Sequence, residues 1–157
     1  MAKWDVRVEE QVERVVFGLG AASSDRTVSS DIPRLSKAYH AAAGRPEGTV
    51  LPYFVLSRAY DEQSGSFELF VGGTEEAAGL ERCTIPTGAY ARLTVKPKLG
   101  FLWGAAVGEA KRYLYATWLP ASGYGALNLE YEYHTERSVG KHPTVDILFA
   151  LSSERRL

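Results

Sequence analysis

The sequence has little that would suit it to an oxidising compartment, a nucleic-acid duplex or a bilayer. It contains a single cysteine, Cys83, so no intrachain disulfide can form, which fits a reducing cytoplasm. It has no excess of charge of either sign: 18 Lys and Arg oppose 19 Asp and Glu, for a formal net charge of −1. A duplex-binding protein concentrates positive charge on one face, and a protein held on anionic lipid carries a polybasic segment; the balanced charge argues against both. Long apolar runs are also missing. The uncharged stretch from Tyr113 to Asn128 is broken by Pro120, Ser122, Gly123 and Gly125, so it cannot be a membrane span. The first residues, MAKWDVRVEE, are charged from the start and hold no apolar signal core. The expectation is a cytoplasmic protein with no direct nucleic-acid or membrane partner.

What is present is an unusual supply of rings. Nine Tyr, six Phe and three Trp sit in 157 residues, more than a core of this size obviously needs. With 45% apolar residues the chain can bury one core, and its length suits a single domain or two small units that share one.

The pattern along the chain predicts an α+β fold. Gln11 to Gly20 reads as a first strand, with Val12, Val15, Val16 and Phe17 closed by Gly18 and Gly20. The segment AASSDRTVSS reads as a polar loop. Ser30 then reads as an N-cap, followed by Ile32, Leu35, Ala38, Tyr39 and Ala42 at helical spacing and a stop at Gly44. Val50 to Tyr60, with Pro52 near its start, and the alternating Phe67, Leu69 and Val71 make a hairpin across the turn DEQSG. The order then repeats. Ala89 to Lys96 reads as a strand, and Phe101 to Leu119 as a helix with Trp103, Ala106, Val107, Ala110, Tyr113, Leu114 and Trp118 on its apolar face. Glu109, Lys111 and Arg112 lie elsewhere on that wheel, and Pro120 and Gly123 end it. Leu127 to His134 and Val145 to Leu151 alternate as two further strands.

The result is a β-α-β-β order, twice, with repeats of about 11–80 and 84–152 within one domain spanning 1–157. Each half has one helix to cover its strands and would be marginal alone. Paired edge to edge about a pseudo-two-fold axis, the halves would form one antiparallel sheet with both helices on one face. The groove between the helices would be a natural ligand site.

Few residues suggest metal, cofactor or nucleophile chemistry. His40, His134 and His142 lack the spacing of a metal site, and there is no CxxC pair, so no metal ligands are expected. Gly18-x-Gly20 lacks a third glycine, and no Lys-Ser/Thr follows Gly100-x-x-x-Gly104, so no phosphate loop and no cofactor is expected. Ser122 is not in a GxSxG elbow, and Cys83 reads as an apolar filler. The strand at 127–134 is more informative. Glu130 and Glu132 share one face with Asn128 and His134, opposite Leu127, Leu129, Tyr131 and Tyr133. The two carboxylates either point to water on a wet sheet face or line the inter-helix groove, where a cation and nearby rings would compensate them. Tyr53, Tyr60, Tyr90, Trp103, Tyr113 and Trp118 are the rings available for such a pocket.

The motifs resemble a known family. Trp118-Leu-Pro-Ala-Ser-Gly-Tyr124, the strand Glu130-Tyr-Glu-Tyr-His134 and the closing Val145-Asp-Ile-Leu-Phe-Ala-Leu151 are similar to the C-terminal half of the GyrI-like, or AraC-type effector-binding, small-molecule domains. Ile85-Pro-Thr-Gly-Ala-Tyr-Ala91 resembles the segment that opens that family's second repeat, and Tyr60 to Gly72 resembles its Tyr-rich hairpin. The resemblance implies a duplicated fold with a cleft between two helices. It implies binding of small organic molecules, often aromatic and cationic, through an acidic residue of the aromatic-Glu strand. By position Tyr131-Glu132 matches that pair, with Glu130 as its neighbour. The chain departs from the pattern at His134, where the family has Tyr, and around Leu35, where it has a helical Trp.

The implied ligand-binding set is Glu132, Glu130, Tyr53, Tyr60, Tyr90, Trp103, Trp118 and His134. With about ten residues before the first strand, the chain resembles the stand-alone members rather than those joined to a helix-turn-helix. The expected role is a sensor or scavenger of small organic ligands, compatible with a protein partner. Two alternatives come with the family. One is a hydrolase of cyclopropane-bearing alkylating natural products, in which Glu132 with Tyr90 or Tyr60 would activate water. The other is a gyrase-inhibitor-like interaction protein.

Overall fold

The computed structural model describes residues 4–96 and 103–152, and the side chains of all of these except 103–105. Strands β1 (Arg7–Gln11) and β2 (Arg14–Ser24) lead into helix α1 (Val28–Ala43), followed by β3 (Tyr53–Arg58) and β4 (Ser66–Gly73). Strands β5 (Glu81–Ile85) and β6 (Gly88–Val95) lead into α2 (Trp103–Tyr113), a π turn (Leu114–Trp118) and a short α3 (Leu119–Ser122). Strands β7 (Ala126–His134) and β8 (Val145–Leu151) follow. Among the described residues, no helix is long and apolar enough to cross a membrane.

All strands join one antiparallel sheet in the order β1-β6-β8-β7-β3-β4-β2-β5. The order is symmetric about the β7/β3 junction: β3 mirrors β7, β4 mirrors β8, β2 mirrors β6 and β5 mirrors β1. This is the duplicated β-α-β-β architecture, with α1 and α2 packed on one face of the sheet. Two strands are added to the expected set. The edge strands β1 and β5 each precede one repeat and pair with the first strand of the other. Only Val12 and Glu13 separate β1, at one edge, from β2, near the opposite edge. Three peptide units span at most about 11 Å, so the two ends of the sheet come close together and the sheet curls into a half-barrel. Pro86 and Thr87 make the equivalent short link between β5 and β6.

Several element boundaries differ from expectation. The first strand continues four residues beyond Gly20, because Ala21 to Ser24 pair with Ser66 to Leu69 of β4. The helix starts at Val28 after Thr27 rather than at Ser30. Gly44 ends it in a left-handed conformation, φ 68°, as expected. The second helix does not stop at Pro120, which lies in the first turn of α3, where its missing N–H costs little. Gly18 lies within β2, and Gly72 is next to last in β4. They face each other across β2 and β4, so close that a Cβ on Gly18 would lie 1.8 Å from the Val71 carbonyl oxygen. Only glycine permits that approach.

Both faces of the sheet are apolar, which explains why all seven residues of β8 are buried. On the helix face, Leu93, Val95, Val145, Ile147, Phe149 and Leu151 pack under Val107, Ala110 and Leu114 of the second helical segment. Tyr39 of α1 packs with Val55, Leu69 and Val71 over the other half. On the inner face of the curl, Val16, Phe54, Leu56, Phe70, Ile85, Tyr90, Tyr131 and Leu148 form a third cluster. A polar island interrupts this face. Asp146 accepts hydrogen bonds from Arg92 Nε at 2.8 Å and Thr94 Oγ1 at 2.7 Å, while Arg92 Nη1 reaches Glu9 at 3.2 Å.

Candidate functional site

Sheet register builds the floor of the inter-helix groove. At the symmetric centre Tyr53 faces His134, Val55 faces Glu132 and Ser57 faces Glu130. Alternate residues of a strand share a face, and Val55 lies in the cluster under α1. Across β7, Glu132 also pairs with Ile147 and Glu130 with Phe149, both in the cluster under α2. Glu130, Glu132 and His134 are therefore on the helix face, between the two helices. They do not point to open water, since the Glu130 and Glu132 side chains are only 16% and 17% exposed.

Two carboxylates at that depth need partners, because desolvation of an unpaired charge costs several kcal/mol. The second helical segment supplies them for Glu130. Lys111 of α2 places Nζ 3.2 Å from Oε1, and the Tyr115 hydroxyl, in the π turn, donates to Oε2 at 3.4 Å. Glu132 Oε1 is 3.0 Å from His134 Nε2. Burial alone would lower the Lys111 pKa, but the charges of Glu130 and Glu132 outweigh it, and the ammonium is held above its ordinary range. Burial, then the Glu130 charge and hydrogen bond, push the Tyr115 phenol strongly upward, so it remains a donor.

Rings close the α1 side. The Tyr53 hydroxyl donates to Ser36 Oγ at 2.9 Å, and burial pushes its pKa up to about 12. His40 Nδ1 donates to the Ser36 carbonyl at 2.7 Å. The Tyr53 ring centroid lies 5.5 Å from that of His40, 5.9 Å from Tyr39 and 6.0 Å from His134. These spacings suit tilted aromatic contact. One side of the groove is thus a ring cluster and the other an ion pair, with Glu132 between them.

Three further residues of the implied ligand-binding set, Tyr90, Tyr60 and Trp118, lie elsewhere. Tyr90 is on the opposite face of the sheet, 1% exposed in the inner cluster, with its hydroxyl bonded to the Pro86 carbonyl at 2.6 Å. The sheet itself separates it from Glu132, which removes the Glu132–Tyr90 pairing. Tyr60 lies past the end of β3, 40% exposed, and donates to Asp25 Oδ2 at 2.5 Å. Trp118 stacks on Tyr124 with centroids 6.3 Å apart and packs into the cluster under α2. The Trp103 side chain lies outside the described residues. Lys111 and Tyr115 were missed. A helical wheel places Lys111 off the apolar stripe and treats it as solvated, and it says nothing of the carboxylate that β7 carries beneath it. The i, i+4 spacing of Lys111 and Tyr115 was the available signal.

Two small cavities lie off the groove floor. One, of about 100 Å³, is lined by Arg92, Tyr133, Thr135, Arg137, Thr144 and Asp146. The other, of about 140 Å³, lies at the C-terminal end of α1 beside Tyr39, Arg45 and Val50. Sites for drug-sized ligands run to roughly 300–1,000 Å³, so neither holds one as it stands.

No family model matches the sequence, and no curated protein matches it. Solved structures do match. An integron cassette protein from the mobile metagenome of Vibrio cholerae superposes with a TM-score of 0.67 at 14% identity, covering 94% of this chain and 95% of that one. The chain shares that fold. SAV2435, solved bound to tetraphenylphosphonium, superposes with a TM-score of 0.67 at 8% identity, covering 95% and 94%. The C-terminal domain of EcmrR superposes with a TM-score of 0.61 at 14% identity, covering 96% and 99%. At these identities the likeness is one of fold, and it extends over nearly the whole of each chain.

Proposed function

We propose that the chain is a single small-molecule-binding domain of two repeats, taking an aromatic cation in the groove between α1 and α2 with Glu132 as its anchor. The observation that carries this reading is the placement of Glu132. Its carboxylate is largely buried on the helix face, next to the Tyr53–His40–His134 rings, and takes only one hydrogen bond from the described residues. A buried carboxylate beside aromatic faces favours a lipophilic cation, through charge and through cation–π attraction of about 1–2 kcal/mol per desolvated ring. The tetraphenylphosphonium bound to SAV2435, which has this fold, supports the same ligand class.

The role follows as sensor or scavenger. A hydrolase using Glu132 as base is less well supported, since no tyrosine hydroxyl meets Glu132 among the described residues. Tyr53 donates to Ser36, Tyr60 to Asp25, Tyr90 to Pro86 and Tyr115 to Glu130. The test is calorimetric titration with tetraphenylphosphonium. The wild type is expected to bind, and Glu132→Gln to bind at least about tenfold more weakly, the equivalent of about 1.4 kcal/mol. Equal binding by Glu132→Gln would remove Glu132 as the anchor.

A further inference from the structure

Among the described residues the groove floor holds two carboxylates, Glu130 and Glu132, and one ammonium, that of Lys111, which the charge of Asp25 also reaches. Both Glu130 oxygens are engaged, Oε1 by Lys111 and Oε2 by Tyr115. Glu132 has His134 on Oε1, and its Oε2 takes no hydrogen bond from the described residues. The Lys111 side chain is 30% exposed, more covered than free. Its head caps Glu130, and a lysine stem can lie over apolar surface while its ammonium reaches a charge.

We infer that the groove is charge-matched to a ligand with one positive centre, because Lys111 already supplies one of the two positive charges that Glu130 and Glu132 call for. The inference rests on the cation-binding reading above and names the charge class of that ligand. Lys111 is then a specificity-determining residue. It closes Glu130 to the ligand and leaves Glu132 as the one carboxylate to satisfy. A dication would have to dislodge Lys111 or leave its second charge facing an ammonium, and either would reduce its affinity.

Removing Lys111 should invert the preference. Glu130 and Glu132 are alternate residues of one strand, so their Cα atoms are roughly 7 Å apart. That matches the spacing of the two nitrogens in methyl viologen, a flat aromatic dication. Its monocationic counterpart is 1-methyl-4-phenylpyridinium, of similar size and shape, so the ratio of their affinities reads charge number and little else.

The experiment titrates both compounds calorimetrically, at about pH 8, above the ordinary histidine range, into wild type, Lys111→Met and the double variant Lys111→Met/Glu130→Gln. The wild type is expected to favour the monocation. Lys111→Met is expected to raise the dication-to-monocation affinity ratio at least tenfold. The double variant removes both partners, so no lone charge is left to unfold the protein, and it is expected to return the ratio to within about threefold of wild type. An unchanged ratio in Lys111→Met, with the monocation still bound, would overturn the inference and leave the cation reading standing. Tighter binding of the dication by wild type would also overturn it. Failure of all three proteins to bind either compound would end both readings together.

Discussion

The ion pair beneath α2 should be measurable as a coupling energy in the ligand-free protein. Lys111 Nζ and Glu130 Oε1 are 3.2 Å apart, with side chains 30% and 16% exposed. At that distance the attraction in an effective dielectric of ~20 is about 5 kcal/mol. Desolvation of both groups and ordering of the lysine stem offset most of it, leaving an expected coupling of about 1–2 kcal/mol. Glu130→Gln alone is expected to cost about 2–3 kcal/mol, because it leaves a buried ammonium without its nearest counter-charge. Lys111→Met should cost less, since Glu130 keeps the Tyr115 hydroxyl. The double variant should be more stable than the sum of the single losses implies. Urea unfolding of the four proteins at neutral pH gives the cycle directly. Because the Lys111 pKa is raised on folding, its contribution is complete below the ordinary lysine value and is lost as pH rises through the higher folded value. The stability difference between wild type and Lys111→Met should therefore persist at neutral pH and shrink in strong alkali. A coupling below about 0.3 kcal/mol would refute the reasoning, because it is what exposed, independent side chains give.

Three further outcomes test the fold that positions the groove. Gly18→Ala should destabilise by about 3 kcal/mol or more, since its Cβ would meet the Val71 carbonyl at 1.8 Å, whereas Gly44→Ala, with nothing within 4 Å of its Cβ, should cost only about 1 kcal/mol for its left-handed backbone; thermal unfolding separates the two. Asp146→Ala should cost about 3–5 kcal/mol by removing the acceptor of Arg92 and Thr94, seen as a fall in melting temperature of roughly 6–20 °C. Tyr90→Phe should cost about 1 kcal/mol for the lost bond to Pro86 and leave ligand affinity unchanged, as its place on the far side of the sheet requires.

Local patterning made much of this legible. The alternation of β7 and β8, the hairpin of β3 and β4, and the stop at Gly44 are each set by a few neighbouring residues, and they lie where the pattern places them. The edge strands were not legible. RVEEQ and ERCTI are short and charged, and they are strands because the curled sheet offers each a partner from the other repeat. Ala21 to Ser24 likewise carry no strand signal of their own and are held by β4. At the site, the parity of Glu130 and Glu132 could be read from sequence, but which face the helices cover is a property of the pairing order. The same parity argument, run through β6 and β8, sends Tyr90 away from the groove, as no linear reading could. Lys111 needed the register of β7 beneath α2 to become visible as a partner.

The most direct test of the central claim is a crystal structure with tetraphenylphosphonium bound. The expected result is the cation on the helix face between α1 and α2, against Glu132 and Tyr53, with Lys111 still on Glu130. Density for the cation on the inner face instead, at the Arg92–Asp146 cavity, would contradict the account.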